Sequence, residues 1–134
     1  MAAKGDPLPA AFCHCQSCRT WHAAPFIGYF AWPEDKVAIT GDVATSGVNA
    51  VSGRVSCARC GGALANRKPA WGLVVLYPTI LTTAPFVPSL HLHYAERVLE
   101  IADGLPKYAN APERIGGDGT LLPEPRTTAW RSSL

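Results

Sequence analysis

The sequence lacks a long apolar segment and carries little charge of either sign. No apolar run approaches the ~20 residues that a membrane-spanning helix requires, and residues 1–9 lack the basic start and apolar centre of a signal peptide. Twelve Lys and Arg against ten Asp and Glu leave a net charge of +2, and the basic residues are scattered. A nucleic-acid-binding surface usually needs a basic cluster. We therefore expect a cytoplasmic protein that binds neither membranes nor nucleic acid.

Composition sets the size and class of the domain. Hydrophobic residues make up 48% of the chain and charged residues 16%, which argues against general disorder. At 134 residues, the chain is long enough for one core and too short for two comfortable domains. Twelve prolines and twelve glycines divide it into short pieces that are typical of strands. The sequence therefore predicts a single, mainly β domain.

Local patterns locate several of the expected strands. Residues 36–40 and 43–46 flank Gly41-Asp42, a two-residue glycine turn that predicts a β-hairpin. Residues 72–77 form a short continuous apolar run, as expected of a buried strand. Residues 113–134 show no periodic apolar pattern, and we expect them to form a flexible C-terminal tail.

Three of the five cysteines, Cys13, Cys15 and Cys18, form a C-x-C-x-x-C cluster. Thiolates are soft ligands that suit zinc, with Zn–S bonds of roughly 2.3 Å in a tetrahedron. Three protein ligands leave a fourth position open, which is typical of a catalytic site where water or a substrate thiol completes the shell. An odd number of cysteines grouped as metal ligands also favours a reducing compartment over a disulfide framework.

The other two cysteines, Cys57 and Cys60, form a C-x-x-C pair followed by glycines. Such a pair is half of a zinc site, a redox pair or a chance arrangement, and the redox interpretation expects a βαβ context that the sequence does not show. A metal site is therefore favoured. One alternative is a single structural zinc site that leaves Cys18 free and has no open position. Its four ligands would be Cys13, Cys15, Cys57 and Cys60.

Three segments have a specific order and spacing when they are taken together. Phe12–Phe26 reads FCHCQSCRTWHAAPF, Arg54–Leu64 reads RVSCARCGGAL, and Ala102–Pro106 reads ADGLP. They resemble the glutathione-dependent formaldehyde-activating enzyme family, also called S-(hydroxymethyl)glutathione synthase-like. The resemblance extends over about residues 8–112, which implies a domain of that family over 8–112 and leaves 113–134 as the flexible tail.

The resemblance implies a fold and two zinc sites. The fold is the Mss4-like β-tent, in which short antiparallel strands surround the metal. In the family, C-x-C-x-x-C holds the catalytic zinc, and a structural zinc lies between an earlier C-x-C and a later C-x-x-C. The metal ligands implied here are Cys13, Cys15 and Cys18 for the catalytic ion, and Cys57 and Cys60 for the structural one.

The sequence departs from the family pattern at its start. The family normally has a G-x-C-x-C-G-x-V segment before the catalytic cysteines, and only twelve residues precede Cys13 here. Either the sequence is truncated or its start is misassigned, or this member has lost the structural site and stabilises the fold in another way. We expect at most one zinc ion held fully by each chain. The pair Cys57 and Cys60 is then empty, or it is joined to the same pair of a second chain in a homodimer.

The resemblance also implies a reaction. The thiol of glutathione, or of a similar small thiol, occupies the open zinc position and adds to formaldehyde or a related small electrophile. Bringing the two reactants close together supplies most of the gain in rate. The chemistry is that of a carbon–sulfur lyase. Because a thiol also adds to formaldehyde without a catalyst, a thiol carrier is an alternative. A further alternative is a non-catalytic, zinc-stabilised binding or structural module, since the family is related to centromere protein V.

Several other side chains have both a structural and a functional interpretation. We expect His14 to face solvent, and His91 and His93 to share a half-exposed strand face because they alternate with apolar residues. Arg19 follows Cys18 directly, so it is either a solvated side chain or a cation that balances the thiolates around zinc. Trp130 is a candidate contact between the tail and the rest of the protein.

Overall fold

The computed structural model of the chain describes residues 1–132 and is built mainly of short β-strands. The prediction of a mainly β fold is confirmed. Residues 133–134, which belong to the predicted tail, lie outside the described part of the chain. The chain divides into two compact units. Unit 1 contains Met1–Ala10 and Tyr29–Val87, and unit 2 contains Ala11–Gly28 and the residues from Pro88 onward.

The α-helix and eight of the strands lie before residue 77. In chain order these elements are β1 (Ala2–Ala3), β2 (Leu8–Cys13), α1 (Gln16–His22), β3 (Ile27–Pro33), β4 (Val37–Ala38), β5 (Val43–Asn49), β6 (Ser52–Cys57), β7 (Ala63–Lys68) and β8 (Leu73–Leu76). The second half contains β9 (Pro88–Leu92), β10 (Leu99–Glu100), β11 (Lys107–Tyr108), β12 (Leu121–Leu122) and β13 (Ala129–Trp130). Single 3₁₀ turns cover Glu34–Lys36, Pro69–Trp71, Tyr94–Glu96 and Glu113–Ile115.

Unit 1 is organised around antiparallel strands in the order β3–β8–β7–β6–β5. In β8, Val74 and Leu76 alternate with more exposed residues and are themselves fully buried. They pack with Phe30 and Trp32 in one hydrophobic core. The strand predicted over residues 72–77 is therefore found as Leu73–Leu76, with only its alternate residues fully buried.

The hairpin predicted around Gly41-Asp42 is wrong. The strand before the turn, β4, pairs with β1, where Ala2 lies opposite Ala38. The strand after the turn, β5, pairs with β6, where Val43 lies opposite Cys57. Gly41 does adopt a φ of 101°, so the chain turns where the sequence indicates. The turn nevertheless joins strands that have different partners.

Unit 2 contains the strands that follow Val87. β9 pairs in parallel with β11, β11 pairs with β12, and β10 pairs with β13. Two pairs of residues from the predicted tail, 121–122 and 129–130, thus lie in strands. The domain boundary at residue 112 and the flexibility of the tail stay predictions. Within the part of the chain that the structure describes, no helix is long and apolar enough to cross a membrane.

Candidate metal centre

The C-x-C-x-x-C cluster forms a strand–turn–helix in unit 2. Cys13 is the last residue of β2, Cys15 caps the N-terminus of α1, and Cys18 lies in the first turn of that helix. The Cys15 sulfur accepts a hydrogen bond from the Cys18 backbone N–H at 3.3 Å. This local folding brings the three sulfur atoms within 4.8 Å of one another. Cys13 is buried, whereas Cys15 and Cys18 are half-buried.

The pKa values of Cys13 and Cys15 are shifted in opposite directions. Hydrogen bonds from Cys13 and then from Cys18 lower the pKa of Cys15 to about 2, against the opposing effect of burial. The pKa of Cys13 is raised far above its ordinary value, because its thiol is hydrogen-bonded to Cys15 and Cys18 and is buried. The cluster therefore favours a thiolate at Cys15 over one at Cys13, whose proton is released only with added positive charge nearby. A metal ion provides such charge, and metal binding to thiols releases protons.

The cluster fits a tetrahedral metal ion. Zn–S bonds of roughly 2.3 Å in a tetrahedron place the sulfur atoms about 3.8 Å apart. The observed limit of 4.8 Å lies close to that value, so small side-chain rotations suffice. Among residues 1–132, this is the one group of three or more ligand-type side chains. The three cysteines are thus positioned to bind a metal ion.

The second cysteine pair forms a tight turn in unit 1, after β6. The Cys57 N–H donates to the Gly62 carbonyl at 2.9 Å, and the Gly61 N–H donates to the Cys57 carbonyl at 2.9 Å. Backbone hydrogen bonds from Cys60 and then Arg59 lower the pKa of the Cys57 thiol. Within the described residues, no third ligand-type side chain joins this pair. A metal-binding role for Cys57 and Cys60 stays a prediction.

His14 does not face solvent, and the sequence-based expectation is wrong. Its side chain is fully buried. The ring stacks on Phe26 at a centroid distance of 5.1 Å and meets the Tyr94 ring edge-on at 4.8 Å. Burial is the main cause that lowers the pKa of His14 to about 3, so the imidazole is neutral. The residue between Cys13 and Cys15 therefore anchors their loop in the interior of unit 2.

His91 and His93 do not share a half-exposed strand face, so this expectation is wrong. His91 is fully buried. His93 adopts a left-handed conformation with a φ of 53°, and its side chain is 41% exposed. The strand ends at Leu92, so the two-residue alternation does not extend to His93. Burial lowers the pKa of His91, although the Asp103 carboxylate acts against this shift.

Sequence reasoning assigned no role to the charged residues that surround His91. Asp103 Oδ2 lies 2.8 Å from His91 Nε2, and Asp103 Oδ1 accepts from Lys107 Nζ at 2.8 Å. Lys107 is 1% exposed, and its ammonium also donates to Glu124 at 2.6 Å and to the Leu105 carbonyl at 3.0 Å. Asp103 and Leu105 lie in the D-G-L-P segment, whose sequence indicates only the family resemblance. Its chemical role becomes visible once β9 and β11 are paired.

An open cleft of about 310 Å³ lies along the C-terminal part of α1. Arg19 lines this cleft, and its Nε donates to the His14 carbonyl at 3.0 Å. Within residues 1–132, Arg19 forms no ion pair with a carboxylate. Trp130 is 67% exposed and forms part of the wall, which places this residue of the predicted tail at the cleft. The remaining lining residues are Thr20, Ala23, Ala24, Pro25 and Val98.

The fold and the site together define a mainly β protein with a three-cysteine centre that can hold a metal ion. This combination is consistent with the β-tent fold. A family model described as glutathione-dependent formaldehyde-activating enzyme matches residues 1–96. The chain therefore belongs to this family, and the resemblance seen in the sequence is confirmed. No curated protein matches the chain significantly.

Proposed function

We propose that the protein is a zinc-dependent enzyme of the carbon–sulfur lyase type, acting on the glutathione adduct of formaldehyde or of a related small electrophile. One observation carries the proposal: this chain, which belongs to the family, places three cysteine sulfurs within 4.8 Å of one another. The ligands are Cys13, Cys15 and Cys18, and the donor set of three soft sulfurs suits zinc. Cys57 and Cys60 are proposed as a second, separate pair of metal ligands.

The reaction is an addition of a thiol to a carbonyl group. The sulfur–carbon bond forms as the carbonyl π bond breaks, and the proton lost by the thiol ends on the carbonyl oxygen. When bound, zinc supplies positive charge that stabilises a thiolate near neutral pH. The cysteine cluster, held by β2 and α1, fixes where the reacting sulfur lies. Proximity and orientation then account for most of the gain in rate.

The cleft along α1 supports glutathione as the thiol. Arg19 directly follows Cys18, its Nε is held by the His14 carbonyl, and within the described residues no carboxylate neutralises it. A guanidinium is suited to bidentate pairing with a carboxylate, and glutathione carries two. The exposed Trp130 ring offers an apolar wall for the peptide chain. Arg19 is therefore proposed to bind a carboxylate of the thiol substrate.

Exchange spectroscopy tests this function directly. Zinc-loaded protein should accelerate the exchange between glutathione and S-hydroxymethylglutathione, measured by NMR, and Cys15→Ser should return the rate to its uncatalysed value. Ser17→Ala is the matched control, because Ser17 lies in the same loop–helix segment and has no sulfur; it should retain the exchange. Arg19→Gln should slow exchange with glutathione more than exchange with cysteamine, which has no carboxylate. An uncatalysed rate with the unmodified protein would reject the enzymatic function and favour a binding role.

A further inference from the structure

A buried chain of hydrogen bonds runs from Asp103 through His91 to His14, the residue between two cysteines of the cluster. His14 Nε2 lies 2.8 Å from His91 Nδ1, and His91 Nε2 lies 2.8 Å from Asp103 Oδ2. Both imidazoles are fully buried. We propose that Asp103 and His91 are positioning residues for the metal centre. They fix the orientation and the tautomer of His14 and thereby hold the Cys13–Cys15 segment in place.

The chemistry of Asp103 determines which group donates in each of these hydrogen bonds. Its other oxygen accepts from the Lys107 ammonium and from the Leu105 N–H, so the group is a carboxylate and can only accept hydrogen bonds. His91 Nε2 must then carry the proton that it donates to Asp103. A neutral imidazole has one N–H, so His91 Nδ1 is an acceptor. His14 Nε2 in turn donates, and His14 Nδ1 is left as a lone pair.

The unpaired nitrogen of His14, at the end of this series of hydrogen bonds, agrees with the assignment. His14 Nδ1 is buried and has no hydrogen-bond partner among residues 1–132. An apolar ring would pack between Phe26 and Tyr94 without leaving a polar atom unpaired. A histidine at this position therefore carries a cost that needs an explanation. The directional hydrogen bond to His91, which an apolar ring cannot make, supplies one.

The backbone of His14 is fixed as firmly as its side chain. Its N–H donates to the Leu92 carbonyl at 3.0 Å, and its carbonyl accepts from Arg19 Nε at 3.0 Å. With the ring bonded to His91, the residue is held at three points. Cys13 and Cys15 are its covalent neighbours, so these contacts fix the backbone from which their side chains project before a metal arrives. Preorganised ligands bind more tightly because less freedom is lost on binding.

Metal affinity tests the proposal with a matched pair of variants. In Asp103→Asn, the amide can donate to His91 Nε2 as well as accept from it, so the tautomers are no longer fixed. The zinc dissociation constant, measured by competition with a chromophoric chelator, should rise by about tenfold or more, as is common when a group that orients metal ligands is changed. Glu124→Gln is the control. It makes the same acid-to-amide change at Lys107 but leaves Asp103 and His91 intact, and its zinc affinity should stay within about twofold of the unmodified protein.

A second measurement needs no variant. Two-bond ¹H–¹⁵N correlation spectra of the unmodified protein report which imidazole nitrogen carries the proton. We expect Nε2–H and an unprotonated Nδ1 for both His14 and His91. A protonated Nδ1 on either residue would overturn the proposal even if Asp103→Asn fails to fold. Equal zinc affinities for Asp103→Asn and Glu124→Gln would overturn it as well.

The inference rests on the proposed metal site and not on the proposed substrate. Its readouts involve neither glutathione nor formaldehyde, so the two proposals fail separately. Zinc binding that depends on Asp103, in a protein without exchange activity, would reject the reaction and retain the positioning role. Exchange activity in a protein whose zinc affinity is independent of Asp103 would retain the reaction and reject the positioning role. A protein that binds no zinc would reject both.

Discussion

Lys107 provides a quantitative test of how buried charge stabilises unit 2. Its side chain is 1% exposed, and its ammonium donates to Asp103 at 2.8 Å, to Glu124 at 2.6 Å and to the Leu105 carbonyl at 3.0 Å. An ammonium has three donors, so all of them are used. Replacing Lys107 with Met keeps most of the volume and removes the charge. The two carboxylates are then left without their cation.

The expected loss follows from the burial of each partner. Hydrogen bonds to charged groups contribute roughly 1.5–3 kcal/mol each, and removing one member of a buried ion pair costs about 3–5 kcal/mol. Asp103 is 28% and Glu124 44% exposed, so water relieves part of this cost. We therefore expect the free energy of unfolding to fall by about 2–3 kcal/mol at pH 7. Lys36→Met, at a lysine that is 52% exposed, is the control and should change it by less than about 0.5 kcal/mol.

The same contacts predict how this difference depends on pH. Burial is the largest single effect and acts to lower the pKa of Lys107 and to raise that of Asp103. The hydrogen bonds and charges of all their partners, including Glu124 and His91, together outweigh it and shift both pKa values the other way. The lysine contribution is present below its unfolded pKa of about 10.4, and the Asp103 contribution above its unfolded pKa of about 3.9. The difference between the unmodified protein and Lys107→Met should thus be constant from about pH 6 to 9. It should shrink below about pH 4, as Asp103 and Glu124 take up protons.

Urea unfolding followed by tryptophan fluorescence, at neutral and acidic pH, measures this difference. The Lys36→Met control is unfolded under the same conditions. A difference below about 1 kcal/mol at pH 7 would refute the idea that the buried ammonium stabilises unit 2. A difference that is undiminished at pH 3 would show that the Asp103 carboxylate is not its partner.

Two further predictions concern the metal content. Cys18→Ser should lose zinc on dialysis, as measured by mass spectrometry of metals, because it removes one of the three clustered sulfurs. Unchanged retention would favour the alternative four-ligand site of Cys13, Cys15, Cys57 and Cys60. We also expect one zinc ion per monomer, with Cys57 and Cys60 binding another only together with ligands of a second chain. Metal analysis and light scattering of one sample check this, and two zinc ions on a strict monomer would contradict it.

Sequence reasoning failed where an outcome depended on partners that are distant in the chain. The turn at Gly41 forms, but β4 pairs with β1 and β5 pairs with β6, because strand pairing depends on which edges meet in the folded unit. The alternation of His91 and His93 stops because the backbone turns left-handed at His93. A two-residue period in the sequence does not show where a strand ends.

The sequence by itself determined the local features of the protein. Cys13, Cys15 and Cys18 lie within six residues, so one strand end and one helical turn suffice to bring their sulfurs together. The C-x-x-C turn and the buried strand β8 are likewise encoded over a few residues. The structure of each of these segments depends on short-range geometry, which the spacing and periodicity of the residues indicate directly.

Tertiary structure decided what surrounds the cysteine cluster. His14 meets His91, which is 77 positions away along the chain, and Lys107 meets Glu124 across 17 positions. Nothing in the spacing of these residues indicates contact, because the pairing of β9 with β11 and the packing of aromatic rings bring them together. Burial then changes their chemistry, since a histidine that titrates near neutral pH in water stays neutral where solvation of its charged form is lost.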